Sequence, residues 1–152
     1  MITLRPATAD DRAFLRELYA TSRPDLALLP QELVALQFSA QDAQYRRAGA
    51  SFEVIVVDGE DAGRMYVRRT ATETRLMDLT LAPAFRGRGI GGELVRGLQA
   101  EGRPVALHVE AFNPARALYE RLGFTVVQDE HGAYLSMVWT PGTEAFTCSI
   151  RS

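Results

Sequence analysis

The sequence predicts a mixed α/β (α+β) domain built on a mostly antiparallel sheet. Three observations carry that expectation. Short β-rich segments recur in pairs around Gly- or Asp-containing turns, as antiparallel hairpins do. Helical periodicity is confined to a few separate stretches. Only one clear strand–helix–strand unit, from Arg75 to Val109, suits a parallel crossover. At 152 residues the chain is expected to form one domain, residues 1–139, followed by a tail, 140–152, without periodicity.

The elements follow in order. Ile2–Arg5 reads as a short strand stopped by Pro6. Thr8, with Asp11 three residues on, resembles a helix N-cap, and Phe14, Leu15, Leu18 and Tyr19 then recur at helical spacing until Arg23 and Pro24. Leu33, Leu36 and the run from Gln37 to Tyr45 predict a second helix, closed by Gly49. Ser51–Val57 is a strand, Asp58–Gly63 a turn, and Arg64–Arg69 the returning strand. Thr70–Glu73 turns the chain into the strand Arg75–Leu81. A helix is expected over Ile90–Ala100, ending near Gly102, and a buried strand over Val105–Val109. Pro114 opens a last helix at its first turn, where proline is tolerated, and Gly123 caps it. Phe124–Gln128 and Tyr134–Trp139 form a final hairpin around His131 and Gly132.

Composition narrows the function. Apolar residues make up 47% and charged residues 24%, as in a folded globular chain. A net charge of −2, from 17 basic and 19 acidic side chains, argues against a nucleic-acid binder, so anion binding would rest on local clusters. Cys148 is the one cysteine, which excludes an internal disulfide and a thiolate zinc site, and no metal is expected. There is no long apolar run of membrane-spanning length and no signal-peptide pattern at the N-terminus. The chain is therefore expected to be soluble and cytoplasmic, without membrane partners.

The chemistry concentrates in Arg86, Gly87, Arg88, Gly89, Ile90, Gly91 and Gly92, between a strand and a helix. Glycines admit left-handed backbone and close approach, and the amides opening the helix favour an anion. A phosphate-bearing cofactor is the first inference. A P-loop is excluded because no Gly-Lys-Ser/Thr follows. A dinucleotide site fits G-x-G-x-x-G through Gly87, Gly89 and Gly92, with Glu110 eighteen residues beyond Gly92 as the ribose acid. Against NAD stand the five residues Ala82–Arg86 between strand and first glycine, and the antiparallel hairpins elsewhere.

Arg86, Gly89 and Gly91 also fit the pattern Gln/Arg-x-x-Gly-x-Gly/Ala, and here the chain resembles the GNAT superfamily of acetyl-CoA-dependent N-acetyltransferases. The segment from Asn113 to Phe124 is similar to that superfamily's second motif, about twenty residues downstream, and the order of elements agrees over roughly residues 2–139. The resemblance implies a sheet of about seven strands with splayed central strands, flanked by about four helices. It implies acetyl-CoA as acyl donor, held between Arg75–Leu81 and Val105–Val109. It also implies a primary amine, on a small molecule or peptide, as the acceptor that attacks the thioester directly. A non-catalytic acyl-CoA-binding domain is the other outcome, and a homodimer is compatible with either.

The resemblance also assigns roles. Backbone amides from Arg86 through Gly87, Arg88, Gly89, Ile90 and Gly91, with Gly92 behind them, would cradle the pyrophosphate. The amides of Leu79 and Leu81 would meet the pantetheine arm and the thioester carbonyl. Tyr119 is the implied general acid. It is offset by one position from the apolar pair Leu118 and Leu122, and its phenol, protonated at neutral pH, would serve the departing thiolate. The alternative is a packing tyrosine. His108 and Glu110 share one face of their strand, opposite Leu107 and Val109. His108 is the implied base, with Asp78 orienting or replacing it; otherwise His108 is a bonded core histidine, and Glu110 and Asp78 hold a cationic acceptor. Asn113 caps the helix at Pro114, and family members also use it near the cofactor. Arg96 reads as surface, and His131 with Glu130 and Asp129 as a solvated turn. Arg23, Arg46 and Arg47 either favour an acidic substrate or are solvated.

Overall fold

The computed structural model describes residues 1–142. Most of the expected tail, including Cys148, lies outside the described residues. Seven strands are present: β1 (Ile2–Pro6), β2 (Ser51–Val57), β3 (Glu60–Arg69), β4 (Thr74–Leu81), β5 (Val105–Glu110), β6 (Thr125–Glu130) and β7 (Tyr134–Trp139). Four α-helices accompany them: α1 (Arg12–Ser22), α2 (Gln31–Arg47), α3 (Ile90–Gln99) and α4 (Ala115–Arg121). The strands are hydrogen-bonded in the order β1-β2-β3-β4-β5-β7-β6. The β4–β5 join is parallel, whereas β1–β2, β2–β3, β5–β7 and β6–β7 are antiparallel. This is the mixed, mostly antiparallel sheet expected, and it excludes the doubly wound parallel sheet of a dinucleotide-binding domain. The chain divides into two units, and β4 contributes to both.

The first unit comprises Met1–Arg68 and Met77–Ile90. Its β2–β3 turn is tighter than the expected Asp58–Gly63, because Val57 already pairs with Glu60. Asp58 and Gly59 have φ of 50° and 84°. An Asp-Gly pair supplies both left-handed positions of a two-residue hairpin turn, so pairing resumes at once. The ladder then shifts between Ile55, opposite Gly63, and Val56, opposite Asp61, leaving Ala62 as the extra residue of a bulge. Thr8 and Asp11 form the expected capping box, with the Thr8 amide donating to Asp11 Oδ2 at 2.8 Å. It opens a short 3-10 turn, Ala9–Asp11, before α1 begins. Leu15 and Tyr19 of α1 and Val34 and Phe38 of α2 pack with Leu26 and Val54 into one buried cluster. Gly49 ends α2 at φ 83°, with Gly49 N–H to Arg46 O and Ala50 N–H to Tyr45 O, a Schellman closure.

The second unit comprises Arg69–Leu76 and the described residues from Gly91 onward. Here the parallel ladder pairs Thr74–Leu76 with Val105–Leu107, and β5 continues antiparallel to β7 from Val105↔Trp139 to Glu110↔Tyr134. Val105, Leu107, Met137, Val95 and Leu98 are buried. A Cβ on Gly92 of α3 would sit 3.4 Å from Leu118 Cδ1, so a glycine lets α3 and α4 approach closely. At the end of α4, Gly123 N–H bonds Glu120 O and Phe124 N–H bonds Tyr119 O, again a Schellman motif, with Gly123 at φ 97°.

Candidate active site

The glycine loop grows out of β4. Ala82 N–H bonds Ala62 O at 2.8 Å, and Pro83–Phe85 makes one 3-10 turn that buries Phe85. Gly87 and Gly89 follow with φ of 73° and 78°, and a Cβ at either would meet nothing within 4 Å. Backbone conformation, not crowding, therefore requires glycine at both. Ile90 is buried and begins α3, whose first-turn N–H groups have no partner within the helix. Arg86 Nε donates to Leu81 O at 3.0 Å, and the Arg88 guanidinium lies 5.4 Å from the Phe85 ring centroid. Loop, helix start and two cations together favour an anion. Gly92 has a different reason to be glycine, its contact with Leu118.

Tyr119 is 7% exposed and lies at the centre of the buried side of α4, not at its edge as the Leu118/Leu122 spacing suggests. Its ring meets Phe124 at 5.7 Å between centroids. The cause is the Schellman turn, which folds Phe124 back over the short helix. Asn113 caps as expected: its Oδ1 accepts the Ala115 N–H at 2.8 Å.

On β5, Leu107 and Val109 are buried while His108 and Glu110 are exposed, the expected alternation. The His108 side chain is 50% exposed, which removes the core-histidine alternative. Its Nδ1 lies 3.3 Å from Arg75 Nη1 and its Nε2 3.9 Å from Glu130. A guanidinium only donates, so Nδ1 accepts and the neutral ring carries its proton on Nε2. Arg75 and Glu130 are neighbours that sequence reasoning missed, because neither belongs to a motif. His131 is exposed, as expected.

Asp78 is heavily engaged. It forms a 2.8 Å ion pair with Arg64, which is 1% exposed. Arg64 Nε also donates to Asp78 Oδ1, as does Thr80 Oγ1 at 2.7 Å, and Tyr45 donates to Oδ2. Gln41 accepts from Arg64 Nη2 at 3.0 Å. With its oxygens so engaged, Asp78 anchors the buried Arg64. Burial and the Asp78 charge push the Tyr45 phenol above its ordinary range. An arginine alone among apolar β3 neighbours, with an aspartate in the middle of β4, was the sequence signal available. Among the described residues no group of His, Cys, Asp or Glu could hold a metal ion, and no helix is long and apolar enough to cross a membrane.

A fold with this crossover loop and this second helix defines a class. The family model for the acetyltransferase (GNAT) domain matches residues 42–126, and the chain belongs to that family. Mycothiol acetyltransferase of Corynebacterium glutamicum (strain R) is 44% identical over 79 residues, covering 47% of this chain and 27% of that protein. The Corynebacterium efficiens protein of the same name is 42% identical with the same coverage. The chain thus spans about a quarter (27%) of the length of these relatives. Among solved structures, PaiA N-acetyltransferase from Thermoplasma acidophilum in complex with coenzyme A superposes with a TM-score of 0.67 at 18% identity, over 92% of this chain and 99% of that one. An acetyltransferase from Thermus thermophilus gives 0.69 at 22% identity, over 91% and 96%. These two show the shared fold.

Proposed function

We propose that the chain transfers the acetyl group of acetyl-CoA to a primary amine by direct attack, without an acyl-enzyme. The observation that carries this reading is the loop Arg86–Ile90. Its left-handed Gly87 and Gly89 stand in open space and run into a helix start between two arginines. These groups suit the pyrophosphate of coenzyme A, with the amides of Gly87, Arg88, Gly89, Ile90 and Gly91 as donors and Arg86 and Arg88 as counter-charges. The cofactor supplies an activated acetyl thioester.

The remaining roles belong to the chain's own groups. The backbone at Leu79 and Leu81 offers amides to the arm and to the carbonyl being attacked, where a fixed donor stabilises developing negative charge. His108, or Glu110 on the same exposed face, removes the proton from the acceptor ammonium. For His108 the accepting atom is Nδ1, once Arg75 withdraws its hydrogen bond. Tyr119 returns a proton to the leaving sulfur, and its tight packing fixes the phenol's direction. Asn113 holds the start of α4 and so the placement of Tyr119. The 44% identity to a mycothiol acetyltransferase makes a small amine the first acceptor class to try, in a cytoplasmic setting.

The test is a thiol-release assay with acetyl-CoA against a panel of amino sugars, amino acids, polyamines and peptide N-termini. Release that depends on one amine class is expected. Stabilisation by acetyl-CoA with no release against any amine would replace this reading with a non-catalytic acyl-CoA-binding domain.

A further inference from the structure

The first unit holds a cavity of about 330 Å³ whose walls make three unlike demands. The first comes from Asp42 on α2. Asp42 lines the cavity, is 7% exposed, and has its Oδ1 buried without a hydrogen-bond partner. A buried carboxylate oxygen left unpaired is costly. Burial accordingly pushes the Asp42 carboxyl above its ordinary range, against the pull of Arg64, Arg46 and Arg12. With Oδ1 sealed, a cationic donor in the cavity would meet the carboxylate at Oδ2.

The second demand is opposite. Arg12 and Arg46 line the same cavity, and among the described residues neither is in a salt bridge. Arg46 lies over the Phe52 ring at 4.4 Å and Arg12 over Phe38 at 5.7 Å, while Arg12 Nη2 donates to Ser39 at 2.7 Å. Stacking and this bond orient the guanidiniums, and two cations share the cavity with the one carboxylate of Asp42, so an anion is still favoured. The third demand is apolar: Phe38, Phe52 and Leu15 form the rest of the wall.

The cavity is not part of the cofactor loop. Phe52 sits at one end of β2, opposite Tyr66, whereas Val57 at the other end pairs with Glu60, near the Ala62–Ala82 bond from which the loop departs. Five residue steps of strand span these ends, about 17 Å.

We propose that this cavity binds a compact zwitterion with an apolar body, an α-amino acid or close analogue. Its ammonium bonds Asp42, its carboxylate lies between Arg46 and Arg12, and its side chain packs on Phe38, Phe52 and Leu15. The volume suits it, since small-molecule sites begin at roughly 300 Å³. Each group of the ligand meets a complementary group of the wall, and the site stands independently of the acetyl-transfer reading.

Titration calorimetry on the full chain, without acetyl-CoA, tests it. The probes are L-leucine, L-valine and L-phenylalanine, with the two half-molecules of leucine, isoamylamine and 4-methylpentanoate. At least one amino acid is expected to bind saturably, with both half-molecules weaker by roughly tenfold or more. Asp42→Asn and Arg46→Gln, each checked for folding by its melting curve, are each expected to weaken that binding by a similar factor. No saturable binding by any probe would leave a water-filled cavity and overturn the proposal. So would equal binding of 4-methylpentanoate, which marks a plain anion site, equal binding of isoamylamine, or binding indifferent to both substitutions. Coenzyme A titrated into the same variants is expected to bind as in the parent, which separates this site from the loop.

Discussion

Arg64 and Asp78 form an ion pair at 2.8 Å with side chains only 2% and 12% exposed. A pair so enclosed holds because each charge answers the other. Removing one partner strands the second in low dielectric, which typically costs about 3–5 kcal/mol, whereas replacing both by apolar groups costs less. Asp78→Ala is therefore expected to lower urea stability by about 3 kcal/mol or more. The double variant Arg64→Met with Asp78→Leu should recover much of the loss. The milder Asp78→Asn bears on chemistry: where it remains folded, it should keep the parent pH–rate profile. Disappearance of the basic-group limb in that profile would restore Asp78 as the base.

Gly89→Ala separates conformation from crowding. At φ 78° an alanine is strained, although its Cβ meets nothing within 4 Å. The cost to folding is expected to be about 1–2 kcal/mol. Coenzyme A affinity, measured by calorimetry, should fall by more than tenfold, because the loop amides turn away from the pyrophosphate. Unchanged affinity would remove the loop from cofactor binding.

Tyr119→Phe keeps the ring that packs on Phe124 and deletes only the hydroxyl. Acetyl-CoA affinity should hardly change, while kcat falls by roughly tenfold to a hundredfold, the low end of proton-transfer catalysis. Equal kcat for parent and variant across pH 6–9 would return Tyr119 to a packing role alone.

Asp42 makes a prediction about pH. Burial holds its proton more tightly in the folded protein than in the unfolded chain. Such a carboxyl lends stability at low pH that falls once pH passes the unfolded chain's pKa and is lost above the folded one. Asp42→Asn is expected to melt several degrees higher than the parent at pH 7 without ligand. The advantage should vanish below about pH 3–4, where both states are protonated. A lower melting temperature at pH 7 would show that the arginines around Asp42 outweigh its desolvation.

Element order was legible because hydrophobic period and turn residues agreed along nearly the whole chain, and the glycine loop with its downstream motif carried the family. Side-chain alternation on β5 also read correctly, since one buried face leaves a strand little freedom. What escaped was set by contacts distant in sequence. Seven-residue α4 is too short for spacing to decide its inner face, and the Phe124 turn decides it instead. Arg64 inside β3 becomes intelligible only beside Asp78 and Gln41. Arg75 and Glu130 meet His108 through strand register, which no local pattern encodes. The cavity at Asp42 joins residues from four elements and has no linear signature.

Gly63 has a further consequence, for engineering. A Cβ built there would fall 2.2 Å from the Thr80 carbonyl oxygen, so position 63 is closed to every other amino acid. The tightest contact is with backbone, the Thr80 oxygen, and Leu81 Cα and Cδ2 follow at 3.1 Å. Side chains around β3 and β4 can therefore be exchanged while the main chain at Thr80 and Leu81 keeps its place. A library that spares position 63 would retain that frame however widely its neighbours are varied.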